Sequence, residues 1–187
     1  MRHAGPLPLV LWAAAVACWV WLWRGARSRT RLMNGLSIRF GGFVRTAFSW
    51  VTLVAEAQEL RFVRMCGRVP VRYRLRYVFP VPGTGRPGTL MEFEQPEAVF
   101  GADPGVFLPG DLRAGRGFFL SGVNLTQDYM RFAGELPAIA RPRIGWRGAT
   151  VWLFIPGLLG ATEEIWVTRC FEFLEEIASR TCPPPRP

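Results

Sequence analysis

The chain has 187 residues, half of them apolar, and a formal net charge of +9, which is room for one modest domain with a buried core plus an appendage. All 23 basic residues are arginine, and the single histidine is His3. The lack of lysine excludes Schiff-base chemistry and a P-loop lysine, and the lack of histidine in the body of the chain excludes His-dependent triads, His–Cys pairs and His-rich metal sites.

Charge is uneven along the chain. Residues 1–55 carry seven arginines and no acid, whereas the rest carries 16 arginines and all 14 acids. The basicity therefore belongs to one terminal segment, which argues against a nucleic-acid footprint spread over a domain. Arginine without lysine, with abundant Ala, Gly and Pro, is the mark of GC-rich coding.

After a short tail at 1–6, residues 7–23 (LPLVLWAAAVACWVWLW) form an apolar run interrupted only by Pro8. As a helix it spans about 25 Å, the short end of the transmembrane range, and Pro8 sits in the first turn, where its missing N–H costs little. Trp19, Trp21 and Trp23 crowd the end beside Arg24, in the manner of interfacial tryptophans. The segment is expected to stay attached and cross a bilayer. Its rivals are a cleaved leader, with Ala-Val-Ala before Cys18 as the processing site, and a buried core helix.

Arg2 precedes this run, and Arg24, Arg27, Arg29 and Arg31 follow it. The arginine asymmetry puts the carboxyl-terminal domain on the cytoplasmic or matrix side. Residues 24–42 read as a basic juxtamembrane linker, with Arg24, Arg27, Arg29 and Arg31 against the headgroups of anionic phospholipid such as cardiolipin. A stretch rich in Arg and Ser and free of acid is also the composition of mitochondrial import signals. The expected location is the mitochondrial inner membrane, single-pass, with the domain on the matrix side; a bacterial plasma membrane and a secretory or viral membrane are the other readings.

Residues 43–181 are expected to form an α+β domain. Phe43 to Cys66 has neither Gly nor Pro, and Val44, Ala47, Phe48, Val51, Val54, Ala55, Phe62 and Met65 recur at helical spacing, which predicts one long amphipathic helix. A short antiparallel sheet follows. In VPVRYRLRYVFPV, Val71, Tyr73, Leu75, Tyr77 and Phe79 alternate with Arg72, Arg74 and Arg76, and after the turn PGTGRPG the strand TLMEFE sets Met91 and Phe93 against Glu92 and Glu94, which are offered for cross-strand ion pairs. The aromatics lie on the face opposite the arginines, so they cannot stack bases beside them, and RNA is disfavoured.

Residues 95–122 are rich in Gly and Pro, with short strands expected at 106–108 and 118–120. Asn124-Leu125-Thr126 is a glycosylation sequon, in which Thr126 is expected instead to cap a helix. Arg141-Pro142-Arg143 reads as a linker, and 150–155 (TVWLFI) as a central strand. Thr162, Glu163 and Glu164 open a carboxyl-terminal helix whose apolar face holds Ile165, Trp166, Cys170, Phe173, Leu174 and Ile177. Residues 182–187 form a stiff proline-rich tail.

None of the four cysteines lies in a CxxC or at zinc spacing, so buried free thiols are expected, with a Cys170–Cys182 pair only if the chain bends back. Glu172 and Glu176, four apart, read as a solvated or partner-facing helix surface. No catalytic, cofactor or metal site is expected. The favoured function is a non-catalytic accessory subunit of a larger membrane complex, of the respiratory-chain or ATP-synthase type, whose partners are its other subunits and anionic phospholipid, with no nucleic acid and no small-molecule substrate. The alternatives are a type II membrane glycoprotein and a small enzyme using Asp103, Asp111 and Asp128.

Overall fold

The first helix, α1 (Leu7–Phe40), is continuous over 34 residues, about 50 Å at 1.5 Å per residue. The structure, a computed structural model, describes residues 7–79, 87–96, 100, 105–107, 119–120 and 123–182. The tail at 1–6, the turn at 80–86, most of the Gly/Pro-rich stretch and residues 183–187 lie outside the described residues.

The expected linker at 24–42 is the second half of α1. Ala26, Leu32, Met33, Leu36 and Phe40 are buried, and Leu32, Leu36 and Phe40 follow one another at four-residue intervals on one helix face. Arginine density masked this stripe, because the intervening Arg27, Arg31 and Arg39 share the same stretch. Gly41 and Gly42 end the helix. Gly41 adopts φ +68°, and the Gly42 N–H donates to the Ser37 carbonyl at 3.0 Å, the paired arrangement that closes many helices. A Cβ on Gly42 would stand 2.8 Å from the Arg61 carbonyl oxygen, so only glycine lets the chain turn so tightly onto the sheet.

Residues 43–66 are not a helix. They form β1 (Phe43–Ser49) and β2 (Val54–Cys66), an antiparallel hairpin with Phe43 opposite Arg61 and Ser49 opposite Val54. The run also contains a period of two, Glu59-Leu60-Arg61-Phe62, and many β-branched residues, and pairing with a third strand decides between the two periods. The turn lacks Gly and Pro. It is closed by Leu53 at φ +57°, a left-handed conformation that a sequence usually announces with Gly or Asn.

Strands β3 (Val69–Val78), β4 (Gly88–Glu94), β5 (Gly105–Phe107), β8 (Arg143–Arg147) and β9 (Thr150–Pro156) complete an antiparallel seven-stranded sheet in the order β1-β2-β3-β4-β9-β8-β5. Strand β8 begins within the expected linker at 141–143, and β9 is central. Strands β6 (Phe119–Leu120) and β7 (Val123–Asn124) pair separately. Helices α2 (Thr126–Glu135) and α3 (Glu164–Thr181) follow β7 and β9. The fold is α+β.

Register sorts the side chains into two faces. Leu60, Leu75, Met91, Leu153 and Ile144 form one row across five strands, and Phe62, Tyr73, Phe93, Val151 and Trp146 form the next. The carboxyl-terminal half of α1 and all of α3 cover this face. Phe40 of α1 stacks on Phe62 at 4.9 Å, Phe62 stacks on Tyr73 at 4.9 Å, and Phe171 of α3 meets Phe62 edge-on at 5.1 Å. Helix α2 packs against α3 through Phe132 and Phe173, 4.2 Å apart. The Thr126 N–H donates to Asn124 Oδ1 at 3.0 Å, so Asn124 supplies a side-chain acceptor at the start of α2, and Thr126 is the first residue of the helix rather than its cap.

Candidate membrane interface

The two halves of α1 differ in what surrounds them. Residues 8–19 are exposed, and burial begins at Ala26. One helix among the described residues, Pro8–Phe40, is long and apolar enough to cross a membrane, and almost none of its most apolar window is buried. An uncovered run containing Leu9, Val10, Leu11, Trp12 and Val16 is costly in water and neutral in hydrocarbon.

At the boundary, the rings of Trp19 and Trp23 stack at 6.4 Å, and the Arg27 guanidinium lies over the Trp23 ring at 4.1 Å. Trp21 is exposed, as are Arg24, Arg27 and Arg31. Arg29 points to the domain instead. Its guanidinium is 3.3 Å from Glu56 Oε2 and 5.8 Å from the Tyr77 ring centroid. Burial pushes the Glu56 carboxyl up, but hydrogen bonds from Thr52, Ser49 and Arg29 and the Arg29 charge outweigh it and hold Glu56 below the usual glutamate range. Burial pushes the Tyr77 phenol up, and Tyr77 donates to the Leu159 carbonyl at 2.8 Å. Two further bonds seat the helix: Thr30 Oγ1 accepts from the Ala57 N–H at 3.1 Å, and Ser28 Oγ accepts from the Ala161 N–H at 3.0 Å.

The outer sheet face carries an ion-pair lattice. Arg74 lies 3.2 Å from Glu92 and 3.0 Å from Glu59, Arg76 is 3.7 Å from Glu92, and Arg72 is 4.0 Å from Glu94. Glu59, which also pairs with Arg61 at 2.6 Å, is expected from the sequence on the polar side of a helix over 43–66, and it joins the lattice because residues 54–66 are a strand instead. The alternation of Glu59 and Arg61 with Leu60 and Phe62 was the available signal. A groove of about 540 Å³ lies on this face, bounded by Arg61, Val63, Arg72 and Thr150. Its charged walls are mutually paired, so it offers screened charge rather than a free anion site.

The other chemistry-bearing residues are accounted for structurally. Asp128 pairs with Arg180 at 2.6 Å, while Asp103 and Asp111 lie outside the described residues. Cys170 is fully buried, and burial raises its thiol pKa. Cys182 meets Cys66 rather than Cys170, donating to the Cys66 carbonyl at 3.2 Å; all four cysteines are free. Burial, then the hydrogen bond with Cys182, pushes the Cys66 thiol up to about 11. Glu172 pairs with Arg39 and Arg169, and Glu176 with Arg180. Among the described residues no three His, Cys, Asp or Glu side chains converge on a metal position. No protein-family model, curated protein or solved structure matches this chain.

Proposed function

We propose that the chain is a single-pass, membrane-anchored accessory subunit that braces neighbouring subunits of a larger membrane complex and carries out no chemistry of its own. One observation carries the reading: α1 is bare and apolar over its first half and forms part of the domain core over its second, with no hinge between. A domain joined through a flexible linker samples many heights and orientations. A domain whose core includes the extension of its own membrane helix is held at one height, which suits a brace. The exposed collar of Arg24, Arg27 and Arg31 supports contact with anionic phospholipid such as cardiolipin, each arginine contributing about 1 kcal/mol near a charged leaflet.

The proposed location is the mitochondrial inner membrane, with the domain on the matrix side, in a complex of the respiratory-chain or ATP-synthase type. The support is the acid-free arginine segment and its asymmetry about the apolar run. Alkaline extraction should leave the protein in the membrane pellet. Native electrophoresis after mild solubilisation should find it in a large assembly; migration at its own mass of 21.1 kDa overturns the subunit reading. Asn124 is exposed, so a glycosidase-sensitive mass shift in the native protein would replace this reading with that of a type II glycoprotein in a secretory membrane.

A further inference from the structure

The β1–β2 hairpin returns from the end of α1 toward its exposed half. Thr30 of α1 touches Ala57, and Phe40 touches Phe62. The first interval covers about 15 Å of helix and the second about 16 Å of strand, so helix and strand run nearly parallel. Beyond Ala57 the hairpin continues to a turn at 50–53. From Glu56, which meets Arg29, that turn is about 7–10 Å further, equal to about five to seven helical residues. The turn therefore stands level with Trp23 and Arg24, where α1 leaves the domain.

The turn itself is apolar and uncovered. Trp50 is 84% exposed, and Phe48, Val51 and Leu53 are each more than half exposed. Phe79, at the same end of the neighbouring β3, is exposed as well. The rings of Phe48 and Trp50 meet edge-on at 5.1 Å. The turn is held rather than loose: the Leu53 N–H donates to the Ser49 carbonyl at 2.8 Å, Thr52 is buried and bonded to Glu56, and Leu53 keeps its left-handed backbone. A strained, fixed turn presenting Trp, Phe, Val and Leu to solvent has a cost that a buried destination would remove. No acid precedes Glu56 in the chain, and Glu56 is neutralised by Arg29.

We propose that the β1–β2 turn is a second membrane contact, seating Phe48, Trp50, Val51 and Leu53 in the interfacial layer of the bilayer that α1 crosses. This rests on the reading of α1 as a membrane helix. The occupant is lipid because the turn stands level with the Trp23, Arg24 and Arg27 collar, and because Trp at such a depth meets both headgroup and acyl chain. The two contacts, on different elements of one rigid domain, fix its rotation about α1 as well as its height.

The test is nitroxide depth measurement on the full chain in vesicles of phosphatidylcholine and cardiolipin. Labels go on Leu11→Cys in α1, Trp50→Cys at the turn and Arg68→Cys at the opposite end of the sheet, in a background of Cys18→Ala, Cys66→Ser and Cys182→Ser. Val51→Cys stands in if the Trp50 variant does not fold. The expected result is oxygen access with severalfold lower nickel-chelate access at 11 and at 50 or 51 than at 68. Water-like behaviour at 50 and 51 with lipid-like behaviour at 11 overturns the second contact and leaves the anchor standing. The same holds if the turn is water-exposed in vesicles of the pure chain but shielded in native membranes, where a protein partner would then be its occupant. Water-like behaviour at 11 overturns the anchor and this inference with it.

Discussion

Phe40→Ala measures whether the second half of α1 belongs to the domain. Phe40 is 6% exposed and touches the rings of Phe62 at 4.9 Å and Phe171 at 5.5 Å. Burying a phenylalanine contributes about 1.5–3 kcal/mol, and each ring pair adds about 0.5–1.5 kcal/mol. The truncation should cost about 3–5 kcal/mol, the range seen for buried phenylalanines. At about 2–4 °C per kcal/mol for a chain of this size, the melting temperature should fall by roughly 10 °C. The assay is near-ultraviolet circular dichroism of the full chain in mild detergent during a thermal ramp. Val10→Ala, on the bare half of the same helix, should change domain stability by no more than about 0.5 kcal/mol. A Phe40→Ala midpoint within about 2 °C of the parent would show that the helix does not dock, and would undo the argument for a domain held at fixed height.

Three other measurements follow from the geometry. Because Glu56 is held below the ordinary value of 4.5, its ionisation contributes stability above that value and the contribution is lost as pH falls through the lowered folded pKa; Glu56→Gln should flatten this acid limb of the melting temperature, and an unchanged limb refutes the clamp with Arg29. A double-mutant cycle between Arg74→Ala and Glu92→Ala should give a coupling of about 0.5–1 kcal/mol, since Glu92 is mostly shielded while Arg74 is partly solvated; zero coupling would make the lattice decorative. With its pKa near 11, Cys66 is about 0.1% thiolate at pH 8 and should be alkylated about two orders of magnitude more slowly than an ordinary thiol; mass mapping that finds Cys66 labelled at an ordinary rate contradicts the burial of its thiol, and with it the bond to Cys182.

Local pattern was enough for several parts of the molecule. The bare apolar run needs only its composition to be seen, and β3, β4 and β9 announce themselves by strict alternation or by continuous apolarity between turn residues. Helix α3 is legible from its acidic first turn and spaced apolar residues, although Ile165, assigned there to the buried face, is exposed. Two errors share a cause. Residues 43–66 carry both a three-to-four and a two-residue period, and their turn has no glycine or proline, so nothing local selects the hairpin; it is selected by β3, whose Leu75 and Tyr73 pair with Leu60 and Phe62. Residues 24–42 look like a solvated basic linker until the aromatic face of the sheet is present to receive Leu36 and Phe40. The sequence by itself determined where apolar surface and charge are concentrated and which segments alternate, because these depend on neighbours within a few residues. Only the tertiary structure decided that one helix is bare over its apolar first half and joins the core over its second, and that the β1–β2 turn stands level with Arg24, because burial and height depend on surfaces contributed by distant parts of the chain.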